Sequence, residues 1–520
     1  MAAGSRVRPG AGLAGVLLSL AAFFFAGPAA AAPAVRPNIL LIYTDDQSHR
    51  TVGCYPEAPD WVETPHIDAL ARRGVRFSHA YTGTWCAPSR MTLLTGRLQF
   101  GNESMGGGVR SSYDPARCPF WPKVFRQGGY YTGQIGKWHT GPDTGYGRDW
   151  DYQAVWNRPG HPENLANYYY DQLIEFNGRP AELVKGYSTD NYTNWAVDFI
   201  RGGPRDPGKP WFLWLCYGGV HLPATPAERH LDAHPDPEVA VPADIYPPRE
   251  GKPAYARDRA DWVPGPDGRP VTKDGRPTVT GRNRLQDWVR QTSQATLSID
   301  EGVGRLIEAL RESGQLENTL VVFTSDNGFA WGQHGFRHKM APYDDNLRTP
   351  FIVSRPGTVP EGKVCAVPVG GQDLAPTFLA LAGLEVPWPL HGRDLAPLLR
   401  EPGAPWPHPL LMAMTGARYG SDTKVIPADW RQQPYGDIPW WLSLTSGRYK
   451  YIRTLVEGEI EELYDRETDP DELRNLALEP TQRPRLRALR QALVEELRRQ
   501  GAAMVDNLPE VREGAGEAGR

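Results

Sequence analysis

Asp45 and Asp46 directly follow one short apolar run of the sequence, and Asp326 and Asn327 follow another. Three carboxylates and an amide oxygen form a hard, all-oxygen set. Such a set suits Ca²⁺ or Mg²⁺ and disfavours a zinc site built on Cys and His. Lys137 and His139 follow a third apolar run and His221 a fourth, while Arg90 and Lys339 add further positive charge. A divalent cation together with fixed positive groups is what cleavage of a sulfuryl or phosphoryl ester requires, because charge builds on the oxygens and the leaving group. Taken singly, an aspartate pair after a strand is usually a turn and a lone His a satisfied surface or core group. The repetition of polar groups at four run ends is what points to a site. No Ser, Thr or Cys is marked as the nucleophile by base pairing alone.

The strand-like runs are 38–43, 130–135, 211–216 and 320–324, and the first is short and continuously apolar. That is the pattern of a strand covered on both faces. Between them lie helical patterns. Thr64-Pro65 reads as an N-cap with proline at the first position, Ile67, Leu70 and Ala71 as an inner face, and Gly74 as the stop. Ile299, Val303, Leu306, Ile307 and Leu310 fall at helical spacing before Gly314. Strand, helix, strand in this order predicts an α/β fold with a large, mostly parallel sheet sandwiched by helices. In such a sheet the carboxyl ends of the strands lie along one edge, where ligands bind.

Two stretches break the rhythm. Residues 224–284, rich in Pro, Gly, Asp and Arg, read as a long surface excursion, and 401–408 as a boundary. Beyond it, 441–454 reads as antiparallel strand segments around Gly447, and Leu486, Leu489, Leu493, Val494 and Leu497 as one helix face. The expected organisation is therefore a leader over 1–32, a catalytic α/β domain over 33–405, a C-terminal α+β subdomain over 406–507 and a frayed tail over 508–520. The glycines at 106–108 lack the strand–turn–helix context of a phosphate cradle and read as a loop.

Lys+Arg 57 against Asp+Glu 61 gives a net charge of -4, so no basic excess is available to neutralise a nucleic-acid backbone. At the N-terminus, Arg6 and Arg8 precede the apolar run 13–25 and a small-residue stretch ending at Ala32. This is the pattern of a cleaved signal peptide, and no later segment approaches a membrane span. The expected location is periplasmic or extracellular.

Cys86-Ala87-Pro88-Ser89-Arg90-Met91-Thr92-Leu93-Leu94-Thr95-Gly96 closely resembles the signature Cys-x-Pro-Ser-Arg-x-x-x-Leu-Thr-Gly of the type I sulfatases, in the alkaline-phosphatase superfamily. The resemblance extends through 37–46, 64–81, 136–141, 221–223, 299–328 and 374–381 to 463–477, while 142–210 and 224–284 match poorly. It implies an alkaline-phosphatase-like fold and a sulfuric-ester hydrolase. It further implies that Cys86 is oxidised by a formylglycine-generating maturation enzyme, and that Asp45, Asp46, Asp326, Asn327 and the group derived from Cys86 hold a single divalent cation, usually calcium. On this resemblance, one hydroxyl of the formylglycine hydrate attacks sulfur, with Asp326 helping to remove its proton and Arg90 holding the hydrate. Lys137 and Lys339 clamp sulfate oxygens, His221 protonates the leaving alkoxide, and His139 takes the second hydroxyl's proton. At Lys339 the assignment stays open among Lys339, Arg337, His334 and His338. Cys54, Cys118, Cys216 and Cys365 remain for two disulfides or none.

The leading expectation is thus a secreted sulfatase acting on a sulfated carbohydrate. A phosphonate monoester or phosphodiester hydrolase with the same metal cradle, and a sulfated-glycan binder without turnover, are the alternatives. Trp156, Tyr168, Tyr169, Tyr170, Trp262 and Trp288 are candidates to stack on sugar faces, with packing as the plainer reading. Arg158 and His161 are candidates to read a second anionic group.

Overall fold

The computed structural model describes residue 1 and residues 36–103, 114–432 and 437–511. Positions 2–32 of the leader, the glycines at 106–108 and positions 512–520 of the tail lie outside the described residues.

Five parallel strands form the centre of a ten-stranded sheet. In spatial order they are Thr319–Ser325, Asn38–Thr44, Trp211–Cys216, Tyr131–Trp138 and Tyr152–Asn157. Phe351–Ser354 and Tyr170–Phe176 flank this centre in the antiparallel sense. The expected parallel sheet is therefore parallel where it is doubly covered and mixed at its margins. The margin at Tyr170–Phe176 and Glu182–Tyr187 is a hairpin, and its turn places Asn177 and Gly178 at φ 50° and 69°. Both values suit the tight turns that only antiparallel neighbours can use.

Every residue of Asn38–Thr44 is buried, and successive side chains enter opposite layers. Ile39, Leu41 and Tyr43 join one apolar cluster, Leu40 and Ile42 the other. That two-sided burial is why the run reads as continuously apolar. One layer holds the helices Pro65–Arg72, Ser188–Ile200 and Leu285–Glu312. The last begins fourteen residues before the apolar stripe at Ile299, because its first half buries Gln291, Thr292, Ser293 and Gln294, which carry no hydrophobic period.

The C-terminal part is a four-stranded antiparallel sheet in the order Leu410–Met414, Trp441–Ser446, Tyr449–Thr454, Glu461–Asp465. The helix Arg483–Arg499 buries Leu486, Leu489, Leu493 and Leu497 against the first apolar cluster, with Val494 only half-buried. Residues 224–284 lie mostly at the surface, as expected, but are pinned by a few buried anchors. They carry a small two-stranded sheet, Trp262–Pro264 with Pro270–Thr272, and Trp262 is fully buried in a third apolar cluster. Arg249 and Lys252 are buried as well, Arg249 donating to carbonyl oxygens and Lys252 to the Tyr464 hydroxyl and the Glu472 carbonyl. Hydrophobic periodicity is blind to a segment whose buried groups are single aromatics and long cations.

Candidate active site

Thr44 and Ser325 are register partners on adjacent parallel strands, so the two chains leave the sheet side by side at its carboxyl edge. Asp45-Asp46 and Asp326-Asn327 are thereby brought together. Asp46 turns with φ 60°, a left-handed conformation that Asp tolerates better than most residues, and its N–H donates to Asp326 Oδ1 at 3.1 Å. Lys137 lies within Tyr131–Trp138 and is fully buried; His139 follows that strand. His221 follows Trp211–Cys216. All four strand ends thus deliver their polar groups to one place.

Cys86 opens the fully buried helix Cys86–Thr95, which Gly96 ends at φ 70°. The local sequence explains this geometry. Pro88 stands in the first turn, where a missing N–H breaks no helical bond. Arg90 comes one turn after Cys86, so the two side chains share a face. Arg90 reaches Asp326 Oδ2 at 2.9 Å and the Lys137 carbonyl at 3.2 Å, and its guanidinium lies over the rings of Tyr43 and Trp214. The unpaired N–H groups of a helix start favour negative charge beside Cys86.

The Cys86 Sγ is 3.3 Å from Asp45 Oδ1 and 3.8 Å from Asp46 Oδ1, and it accepts from Lys339 Nζ at 2.9 Å. Lys339 also pairs with Asp46 at 2.5 Å, and Lys137 pairs with Asp45. His221 lies with Nε2 at 3.7 Å from Asp46 Oδ2 and Nδ1 at 2.7 Å from the Leu222 carbonyl. Both ring nitrogens of His139 are buried without a hydrogen-bond partner among the described residues.

Electrostatics separate the carboxyl groups. Burial pushes Asp326 up to about 7, reinforced by the Asp45 charge and opposed by Arg90 and Lys137. At Asp45 burial acts the same way, but Lys137, His221 and Arg90 overcome it and hold the group well below the usual carboxylate range. Burial lowers His221 to about 4 against the pull of Asp46 and Asp45, and burial lifts the Cys86 thiol to about 12. Burial and the Lys137 charge keep His139 neutral.

The donor atoms at the two strand ends are gathered closely enough for a cation. Asp45, Asp46, Asp326 and Cys86 each place one donor atom so that all four lie within 4.8 Å of one another. Asn327 Nδ2 donates to Asp46 Oδ1 at 2.9 Å, while its Oδ1 is buried with no donor facing it. An orphaned amide oxygen beside three buried carboxylates fits a hard divalent ion.

Among the basic residues of 334–339, the geometry separates the candidates. Lys339 reaches Cys86, whereas Arg337 pairs with Asp274, His334 with Asp244, and His338 bonds Arg259 and its neighbouring carbonyl. The C-terminal sheet anchors this segment. Trp441 Nε1 donates to the Met340 carbonyl at 2.7 Å, Lys450 Nζ pairs with Asp344 at 2.7 Å, and Glu472 accepts from the Asp344 N–H at 2.7 Å. Nothing in the sequence marked Lys450 or Glu472, because a buried ion pair carries no spacing signal.

The family model described as Sulfatase matches residues 37–384. The chain belongs to the sulfatase family. It is a sulfuric-ester hydrolase by that membership, and its fold is the alkaline-phosphatase-like one of its structural neighbours. An N-acetylglucosamine-6-O-sulfatase of Bacteroides thetaiotaomicron is 27% identical over 92% of this chain and 88% of its own. An uncharacterized sulfatase of Escherichia coli K12 is 30% identical over 85% and 83%. A solved structure of a protein in complex with its substrate, D-glucosamine-2-N,6-O-disulfate, superposes with a TM-score of 0.75 at 25% identity, covering 91% of this chain and 99% of that one.

In this sulfatase the aromatics expected to stack on sugar are mostly core. Trp156, Tyr168, Tyr169, Trp262 and Trp288 are buried and only Tyr170 is exposed. Tyr168 has a local task instead: its ring stacks on His221 at 4.1 Å and its hydroxyl lies 3.2 Å from His221 Nε2. His161 is engaged by Glu175 at 2.8 Å. No disulfide joins Cys54, Cys118, Cys216 or Cys365. Among the described residues no helix is long and apolar enough to cross a membrane.

Proposed function

We propose that this sulfatase releases sulfate from a sulfated carbohydrate, with Cys86 oxidised to formylglycine by a maturation enzyme. A divalent cation, Ca²⁺ or in its place Mg²⁺, is held by Asp45, Asp46, Asp326 and Asn327 beside residue 86. The observation that carries this reading is the position of Cys86, at a helix start between Asp45 and the Lys339 ammonium. A hydrated formylglycine supplies two geminal hydroxyls, one to attack sulfur and one whose ionisation lets sulfate leave. The cation supplies charge that offsets the carboxylates and polarises sulfate oxygens.

The other residues take their roles from where they point. Arg90 neutralises Asp326 from beneath and fixes its orientation. Asp326, oriented by Arg90, accepts a proton from the attacking hydroxyl. Lys137 and Lys339 hold sulfate oxygens. The Nδ1–H of His221 donates to the Leu222 carbonyl, which turns Nε2 toward the pocket to protonate the leaving alkoxide. Burial keeps this ring neutral when no anion is near, and an arriving sulfate ester favours its charged form. His139, neutral and without a partner, takes the proton of the second hydroxyl.

Carbohydrate as the substrate class is supported by the names of the relatives and by the leader read over 1–32, which also supports export to the periplasm or beyond. The test is the formylglycine-loaded protein against a panel of sulfated oligosaccharides, a matched aryl sulfate and a matched phosphonate monoester. Sulfate release from an oligosaccharide is expected. Preferred cleavage of the phosphonate would transfer the site to the phosphonate hydrolases.

A further inference from the structure

Arg158 stands one hydroxyl away from His221. Its Nη1 donates to Tyr168 Oη, and that oxygen lies 3.2 Å from His221 Nε2. The guanidinium is only partly buried and rests on aromatic faces, 4.7 Å from the Tyr168 centroid and 5.7 Å from that of Trp156. The shared Tyr168 hydroxyl therefore places Arg158 beside the His221 side of the site.

What it lacks is an anion. Among the described residues no carboxylate lies within ion-pair distance of Arg158, and its Nε is sealed from water with no acceptor. One acid of this hairpin, Glu175, is already taken by His161 Nε2 at 2.8 Å and Asn157 Nδ2 at 3.0 Å. Holding a half-desolvated cation without a counter-charge costs stability, and such cost persists where a ligand repays it. The rings beneath it restrict the side chain, so a guanidinium edge is presented in a fixed place, the arrangement that recognises planar or tetrahedral oxyanions.

We infer that Arg158 is a specificity-determining residue that binds a second anionic group of the substrate, a sulfate or carboxylate on the same sugar or the next. The inference rests on the sulfate-ester reading of the site. It assigns the substrate class as a sugar bearing at least two negative groups, with His161 excluded from the contact by Glu175.

Binding to the Cys86→Ala protein, by calorimetry, tests it apart from turnover. Three matched ligands are needed: a sugar with one sulfate ester, the same sugar with an added sulfate, and the same sugar with an added carboxylate. The parent background is expected to bind one of the doubly charged sugars at least ~10-fold more tightly than the singly charged one, the size of a charge-assisted contact. Arg158→Gln should erase that ratio, and Arg158→Lys, which keeps the charge without the fork, should restore part of it. Equal weakening of all three ligands by Arg158→Gln would assign the residue to holding Tyr168 and His221, and would overturn the inference. A parent background that does not distinguish the ligands would overturn it too. A loaded protein that binds with this preference yet releases no sulfate would sink the hydrolase reading while supporting the subsite.

Discussion

Arg90 and Asp326 form an ion pair at 2.9 Å in which neither side chain exposes any surface. The pair joins the signature helix to a strand end 236 residues further along the chain. Removing one member leaves the other charge buried and uncompensated, which costs about 3–5 kcal/mol in comparable sites. Arg90→Ala is therefore expected to lower the unfolding free energy by that order. The double variant Arg90→Ala, Asp326→Asn should recover part of the loss. Chemical denaturation of the four proteins checks the coupling, and additive losses would mean the pair is independent.

Cys86→Ser should retain the fold and the melting temperature to within about a degree, because a hydroxyl replaces a thiol in the same fully packed place. Turnover should be lost, since the maturation step proposed here acts on the thiol. Peptide mass spectrometry of protein co-expressed with a formylglycine-generating enzyme should show the parent Cys86 peptide converted to the aldehyde. Parental multiple-turnover rates in Cys86→Ser would rule the mechanism out.

Chelation is expected to lower both activity and melting temperature, with recovery on adding Ca²⁺. Asp45, Asp46 and Asp326 repel one another once the cation is gone, and an ion that binds only the folded state at a hundred times its Kd stabilises by about 2.7 kcal/mol. Asp45→Ala should melt at the same temperature with and without chelator. No response of the parent to chelation would reduce the cluster to a structural feature of two strand ends.

The metal-free protein should show a pH signature from Asp326. Its folded pKa, raised to about 7 chiefly by burial, lies above the ordinary carboxylate value, so the folded state binds the extra proton. The group's contribution is therefore present in acid and is lost as pH rises from about 4 toward 7. The Asp326→Asn protein lacks this loss. Measured in chelator, its melting temperature relative to the parent should climb between pH 5 and pH 7.5. A difference that stays flat, or falls, would mean that Asp326 ionises freely in the fold.

His221→Ala should cost far more on a sulfated sugar than on a nitrophenyl sulfate. A sugar alkoxide needs a proton to leave and a nitrophenolate does not, and general acid catalysis contributes about 10²–10⁴-fold. Steady-state kcat/KM on both substrates decides the matter. Equal losses would shift the proton donor to Lys339, and a selective loss in His139→Ala instead would exchange the roles of the two histidines.

The sequence by itself marked the central strands and the polar groups at their ends. Continuous apolar runs with polar residues at their ends identified doubly buried strands and the groups they carry, because two-sided burial and strand termination are local properties. Cys86 and Arg90 were legible only through the signature they belong to; that they lie one turn apart on one helix came from the structure. Tertiary structure decided what local pattern does not encode. The register of Thr44 with Ser325 brought Asp45 and Asp46 to Asp326 across 280 residues. The C-terminal sheet selected Lys339 over its basic neighbours by fixing Met340 and Asp344 from outside. Residues 224–284 run largely over the surface as read, but tertiary structure pins them through single buried anchors, Trp262, Arg249 and Lys252. In each case the deciding interaction joins residues distant in the chain, and its energy exists only once the chain has closed around it.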